Sequence, residues 1–317
     1  MYKSLDRPIS ITEHKWEERL DAFVYVQVLT YNHESYIRDC IDGILIQKTT
    51  FPVHIVVFED CSTDNTQTIL KEYKQKYPDL FTLYLQPVNT YGKDTRKKAL
   101  KPWYDTAGKG KYIAKCEGDD YWTDPLKLQK QVNFLEANPK YAFCFHKAKV
   151  INELDNIYPN FNVEVETREY TGEEILRRWT VPTASVVYRN YDYQSIPSDK
   201  RFLYGDIILF LWLAEKGKIY CISESMSVYR RHGGGVVLKE KIPYKKTITH
   251  YTAISEHFGK KYNKVLRQLK AGVLARTLFF EKNSMKESFS ILVYVITRPK
   301  LIYSFCRNLY HLIRRSF

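Results

Sequence analysis

Tyr112-Ile113-Ala114-Lys115-Cys116-Glu117-Gly118-Asp119-Asp120-Tyr121-Trp122 runs from an apolar segment directly into three carboxylates within four positions. A buried strand that ends in acids presents oxygen ligands at the edge of a sheet. Hard divalent cations such as Mg²⁺ take oxygen ligands and share them with substrate phosphates. The stretch therefore reads as a metal–diphosphate site. It also reads as a solvated acidic turn ahead of a helix, with Asp124 as N-cap and Pro125 at the first helical position. The choice depends on what the rest of the chain brings to the same edge.

Outward from this stretch, residues 23–29, 53–58, 80–85 and 111–116 are short apolar runs rich in β-branched residues, which predicts buried strands. Residues 34–46, 66–77, 95–106 and 125–137 carry helical spacing. Strand and helix alternate, which implies an α/β fold with a parallel sheet and right-handed crossovers. In such sheets ligands gather beyond the carboxyl ends of the strands. Those ends carry Thr30-Tyr31-Asn32, Glu59-Asp60 and Glu117-Gly118-Asp119-Asp120. After Tyr141 the pattern is mixed, with strands expected at 141–146, 184–188 and 225–229 and a helix at 207–215.

The 317 residues suit one large α/β domain with an appendage or two domains, at roughly 150 residues per domain. The six cysteines are scattered without a C-x-x-C pair, which argues against a zinc site or disulfide framework and suits a reducing cytosol. Residues 1–20 are polar and do not resemble a secretory signal. No apolar run approaches the ~20 residues that span a bilayer. The net charge of +13 is uneven: residues 236–317 hold 17 Lys and Arg against 4 Asp and Glu, leaving the remainder balanced. Such asymmetry suggests an anionic partner for the tail.

Phe58-Glu59-Asp60-Cys61-Ser62-Thr63-Asp64-Asn65-Thr66 follows the second strand and opens a helix. Ser62, Thr63 or Asp64 can cap that helix. A cap does not require Glu59-Asp60, and a carboxylate there suits the ring N–H of a pyrimidine base. Taken together, Val28-Leu29-Thr30-Tyr31-Asn32, Glu59 to Asp64, Gly110 to Ala114 leading into Glu117 to Trp122, and Gly205-Asp206 resemble a family 2 glycosyltransferase with the GT-A fold, over roughly residues 22–235. The resemblance implies an α/β nucleotide-diphospho-sugar transferase, a Rossmann-like mixed sheet, with a C-terminal helical extension. The implied domains are an N-terminal extension at 1–21, the GT-A domain at 22–235 and a basic helical region at 236–317.

The resemblance also assigns roles. Asp60 would bind the nucleotide base, with Thr30, Tyr31, Asn32 and Glu59 around base and ribose. The family's Asp-x-Asp falls on Glu117-Gly118-Asp119, with Glu in place of the first Asp, and Asp120 follows. Cys61 stands where glycine is usual. Mg²⁺ or Mn²⁺ would be held by Asp119, Asp120 and His232, the last being otherwise a loop histidine. Asp206 would be the catalytic base of an inverting reaction, its carboxyl raised by the apolar helix it opens; otherwise it is an N-cap. The basic run Lys93, Arg96, Lys97 and Lys98 reads largely as a solvated helix face, with Arg96 the one that would face the diphosphate; Arg230 and Arg231 would contact it too. Thr183 and Ser185 would line an acceptor cavity.

The implied reaction moves a sugar from a nucleotide-diphosphate sugar, a UDP-sugar, to a cell-surface glycan or lipid-linked oligosaccharide. In the tail, segments 289–296 and 301–313 are parted by Pro299. Leu301, Ile302, Phe305, Leu309, Leu312 and Ile313 share one stripe of a basic amphipathic helix, which predicts peripheral contact with anionic membrane at the inner face of the cytoplasmic membrane. The competing reading packs that stripe on the body. No nucleic-acid module is present, so nucleic acid is not an expected partner. Two other functions compete. A sugar-phosphate nucleotidyltransferase would need a Gly-rich loop after the first strand, which Thr30 to Glu34 lacks. A non-catalytic membrane- or nucleic-acid-binding protein would be indifferent to Asp206→Asn.

Overall fold

The four apolar runs form parallel strands: β1 (Val24–Thr30), β2 (Val53–Glu59), β3 (Phe81–Leu85) and β4 (Tyr112–Glu117). Residues of β1 and β2 are buried on both faces, as in parallel sheets covered by helices on each side. The computed structural model describes residues 4–14, 22–153, 161–235, 242–280 and 285–315. Residues 15–21, which close the expected N-terminal extension, and 236–241, which open the basic region, lie outside the described residues. Helices α1 (Ile37–Leu45), α2 (Thr66–Lys76), α3 (Arg96–Ala107) and α4 (Lys127–Ala137) alternate with these strands.

Three further strands, β5 (Tyr141–Asn152), β6 (Val187–Arg189) and β7 (Lys218–Arg231), join them in a ten-stranded sheet with spatial order β7-β5-β6-β4-β1-β2-β3. The short strand Glu169–Tyr170 lies outside β7, and Tyr121–Trp122 and Phe161–Asn162 pair with β7 and β5. β6 is antiparallel to both neighbours, and β5 and β7 run parallel to each other, so the sheet is mixed. β5 and β7 outrun their expected ranges because partly exposed Lys147, Lys149 and Ser223 to Ser225 obscure the apolar pattern, while the backbone ladder continues through them with register shifts at Ile222/Ser225 and Ser225/Ser227. The strand expected from 184 begins instead with a 3₁₀ turn, Thr183–Ser185, closed by Ser185 N–H and Oγ on the Pro182 carbonyl.

Two compact units are present: Met1–Thr171 with Trp179–Ser195 and Leu213–Lys239, and Gly172–Arg178 with Ile196–Trp212 and Glu240–Phe317. The first holds the sheet and a core of Val24, Val26, Val28, Ile41, Ile55, Val57 and Trp122 among others. Gly43 lets α1 approach the Tyr121–Trp122 strand, since a Cβ there would lie 2.7 Å from the Trp122 carbonyl oxygen. The second holds the start of α5 (Gly205–Lys216), then α6 (Tyr244–His257), α7 (Asn263–Phe280), α8 (Met285–Ile296) and α9 (Pro299–Arg315). Helices α6 and α7 fall where the sequence reading names no element. Ile248, Leu274, Ile291, Val295, Leu301 and Phe305 form the second unit's core. Leu301 and Phe305, on the stripe expected to face lipid, are thus packed inward, with Leu309 and Leu312 against the same core.

Candidate functional site

The register places the strand ends side by side. Thr30 pairs with Glu59 across β1 and β2, and Leu29 pairs with Glu117 across β1 and β4. The chain runs from β1 to β2 to β3 on one side and returns with β4 on the other, which makes β1 the topological switch point where α/β sheets open a crevice. Contacts continue along this edge. The Asp60 N–H donates to the Thr30 carbonyl at 3.1 Å, the Gly118 N–H to the Leu29 carbonyl at 2.9 Å, and Thr30 Oγ1 lies 3.1 Å from His33 Nδ1. A Cβ on Gly118 would meet Thr30 Oγ1 at 2.5 Å and His33 Nδ1 at 2.8 Å, so the acidic loop seats on Thr30 only with glycine there.

The loops after β1 and β2 are stitched to each other. The buried Glu59 carboxylate accepts the N–H groups of Cys61 at 3.2 Å and Ser62 at 2.6 Å, and Gln67 Nε2 at 2.6 Å. Asn32 Oδ1 accepts the Thr63 N–H at 2.8 Å, and Ser62 Oγ accepts the Asn32 N–H at 2.9 Å. Glu59 and Asn32, expected at the nucleotide, thus use these atoms to shape the turn. Asp64 accepts the Thr66 and Glu34 N–H groups from just ahead of α2, while the N-cap itself is Asn65, whose side chain makes no capping bond, so none of Ser62, Thr63 and Asp64 holds the expected cap position. Asn32 and Cys61 both adopt left-handed backbone, with φ of 54° and 63°. Asn tolerates that region, and Cys there costs what glycine would avoid.

Asp60 is buried at 2% exposure. Its Oδ1 accepts Thr90 N–H at 2.8 Å and Thr90 Oγ1 at 2.7 Å, while Oδ2 accepts Arg96 Nη1 at 2.8 Å. A carboxylate offers about four acceptor positions, so these three donors leave one for a ligand N–H. Arg96, expected at the diphosphate, is the partner of Asp60, and its guanidinium lies over the Tyr91 ring. Tyr31 is exposed.

Asp119 stands between two imidazoles. Its Oδ2 lies 3.1 Å from His232 Nε2 and 3.7 Å from His33 Nε2. His232 is buried, its ring packed against Tyr36 at 4.5 Å and His33 at 6.0 Å between centroids. Burial by itself would raise the Asp119 carboxyl, but the His232 hydrogen bond and the neighbouring His33 and His232 charges outweigh it and hold it below the usual carboxylate range. Asp120 is fully buried: Oδ1 accepts the Arg230 N–H at 2.9 Å, and Oδ2 has no hydrogen-bond partner among the described residues. Burial, then the charges of Asp119 and Glu117, push its carboxyl well above the ordinary range. Two sets of groups, His33 with Asp119 and His232, and Glu117 with Asp119 and Asp120, each place ligand atoms within 4.8 Å of one another. Oxygen and imidazole donors around an unsatisfied buried carboxylate oxygen fit a divalent cation. The sequence reading missed His33; its signal was the histidine three residues past Thr30 at the switch-point strand.

Other expected residues fall elsewhere. The Arg230 side chain pairs with Asp39 and lies over Tyr36 and Tyr121, so it braces the acidic loop. Ser185 is fully buried and Thr183 nearly so. Asp206 is in the second unit, in the first turn of α5, where its carboxylate accepts the Ile207 N–H at 2.8 Å.

The model of the glycosyl transferase family 2 matches residues 25–232. An uncharacterized protein of Mycobacterium tuberculosis (strain H37Rv) is 40% identical over 212 residues, covering 66% of this chain and 58% of that protein. The chain therefore spans somewhat over half the length of that relative. The putative teichuronic acid biosynthesis glycosyltransferase TuaG of Bacillus subtilis is 27% identical over 239 residues, covering 74% of this chain and 90% of TuaG. Among solved structures, S. aureus TarS 1-349 in complex with UDP-GlcNAc aligns at a TM-score of 0.58 with 21% identity, over 89% of this chain and 79% of that one. Mannosyltransferase PcManGT from Pyrobaculum calidifontis, in complex with GDP-Man and Mn²⁺, aligns at 0.52 with 16% identity, over 95% and 92%. The fold is thus GT-A, a mixed α/β sheet followed by a helical C-terminal region.

Proposed function

The chain belongs to glycosyl transferase family 2, and from that premise we propose that it transfers a sugar, with inversion, from a nucleotide-diphosphate sugar to an acceptor hydroxyl. The donor is a UDP-sugar and the acceptor a cell-surface glycan or lipid-linked oligosaccharide, met at the inner face of the cytoplasmic membrane. One observation carries the reading: β1, β2 and β4 end in register, so Asp60 and the Glu117–Asp120 loop share an edge, with Asp119 held between His33 and His232. Asp60, fixed by Thr90 and Arg96, accepts the base N–H on its remaining position. Thr30 and Tyr31 border base and ribose, and Gly118 keeps the loop close to them. Asp119, with His232 and His33 or with Glu117 and Asp120, would hold Mg²⁺ or Mn²⁺. That ion, when bound, offsets charge developing on the departing diphosphate. Asp206 takes the acceptor O–H proton. The acceptor oxygen bonds to the anomeric carbon while the bond to the diphosphate oxygen breaks, and UDP leaves with the electron pair.

A thermal-shift panel of UDP, GDP and dTDP with their sugar conjugates, with and without Mn²⁺, tests this. A ligand at 100-fold its Kd adds about 2.7 kcal/mol of stability. We expect stabilisation by UDP compounds that grows with Mn²⁺. Failure of all three bases with metal present would end the donor assignment, and retained full turnover by Asp206→Asn would end the catalytic one.

A further inference from the structure

We propose that the outward face of α8 and α9 is a docking surface for an anionic lipid bilayer. It deepens the membrane part of the proposed function and rests on that reading: of the stripe the sequence pattern singled out it keeps Ile302 and Ile313, and it adds the exposed residues of α8. In α8, Met285, Phe289, Leu292, Val293 and Ile296 are 90, 69, 41, 42 and 67% exposed. Their spacing of four, three, one and three residues gathers them into one stripe about 100° wide at helical periodicity. Ile291 and Val295 lie on the opposite side and are buried in the second unit's core. The helix is therefore apolar on both faces, and its core accounts for only one.

Helix α9 repeats the arrangement. Leu301 and Phe305 point into the core, while Ile302, Tyr303, Tyr310 and Ile313 are exposed. Eleven of the eighteen large hydrophobic residues exposed among the described residues fall between 279 and 313. Scattered exposure is ordinary, but a concentration of this kind marks an interaction site. Exposed Lys300, Arg307 and Arg314 flank the α9 stripe, and Glu287 is the only acid in residues 285–315.

That chemistry selects the occupant. Cations beside an apolar stripe match lipid phosphates above acyl chains, and tyrosines suit the boundary between them. A second copy of the same face would bring like charges together, which disfavours self-association. No described helix is long and apolar enough to cross a membrane, so the surface lies along the bilayer.

Co-sedimentation of the full chain with phosphatidylcholine vesicles, with and without about one-third phosphatidylglycerol, tests the surface. Binding should require the anionic lipid and weaken with salt. Phe289→Ser with Ile296→Ser should weaken partitioning at least tenfold. Lys300→Gln, Arg307→Gln and Arg314→Gln together should weaken it about a hundredfold, at roughly fivefold per cation. All these side chains are exposed, so unchanged circular-dichroism melts should show that folding survives. Equal binding to neutral vesicles, or binding that neither variant weakens, would overturn the proposal. So would a dimer by analytical ultracentrifugation that Phe289→Ser with Ile296→Ser converts to monomer. The assay uses no sugar nucleotide, so vesicle binding and the donor assignment stand or fall separately.

Discussion

Lys127 is completely buried at the start of α4, its ammonium 4.0 Å from the centre of the Trp122 ring and 2.8 Å from Gln131 Oε1. Trp122 closes the acidic loop, so this lysine sits directly behind the site. Burial lowers its pKa from 10.5 to about 7, against smaller upward pulls from Cys116, Cys144 and Asp124. The folded-state value is depressed for a base, so between about pH 7 and 10.5 the unfolded chain binds a proton that the folded one does not. The cost of burying the charge is complete below pH 7 and fades as pH rises. At 1.36 kcal/mol per unit the full penalty is about 5 kcal/mol, falling to about 4 at pH 7 and about 2 at pH 9. Lys127→Met keeps the volume and a sulfur–aromatic contact but leaves Gln131 Oε1 without that donor, a loss of about 1–3 kcal/mol at either pH. Buried thiols at Cys116, Cys144 and Cys221, raised by desolvation, oppose the trend. Lys127 pulls Cys116 and Cys144 down slightly, so its removal raises them further. They add little to the difference between pH 7 and 9, because the folded thiols are protonated there with or without it. The expected result is a stability difference, variant minus wild type, about 2 kcal/mol more favourable at pH 7 than at pH 9, measured by urea unfolding at the two pH values. A difference that does not change with pH would refute the claim that Lys127 is buried with a depressed pKa.

Asp206→Asn should lower kcat by 10²–10⁴-fold, the usual worth of a general base, while UDP affinity by calorimetry stays the same. Arg96→Ala should leave the Asp60 carboxylate buried without its cation and cost about 3 kcal/mol or more in urea unfolding, with weaker UDP binding; a neutral effect would remove Arg96 from the site. Cys61→Gly should stabilise by about 1 kcal/mol, because the left-handed conformation strains any Cβ and glycine relieves more than its extra unfolded-state entropy removes. A loss of stability there would mean that the cysteine side chain contributes packing of its own.

Much of the first unit was legible beforehand because its signals are local. β1, β2, β3 and β4 begin and end within a residue of their expected bounds, since parallel strands buried on both faces read as unbroken apolar runs. The carboxylates at their ends were found for the same reason. His33 was not, because its one signal, a place three residues past Thr30, became specific only with its 3.7 Å distance to Asp119. Arg96 was found but given another partner. Its attraction to an anion was evident in the charge run, whereas the choice between Asp60 and a diphosphate depends on where α3 sets its first turn. β5 and β7 were underestimated where polar side chains alternate with buried ones, because a hydrogen-bonded ladder continues through residues that hydropathy would end.

The tail shows the same division most sharply. Composition established that residues 236–317 are basic, and apolar spacing that two helical segments flank Pro299. The order of apolar runs and acidic ends gave the resemblance that the family match over residues 25–232 bears out. Which side of each helix turns inward was settled by packing. Leu301 and Phe305 cover α7, and α8 buries only Ile291 and Val295, leaving Phe289 and its neighbours outside. An apolar stripe states that a surface must be covered. What covers it depends on the complementary surfaces that the rest of the chain supplies, and these exist only once the helices have packed.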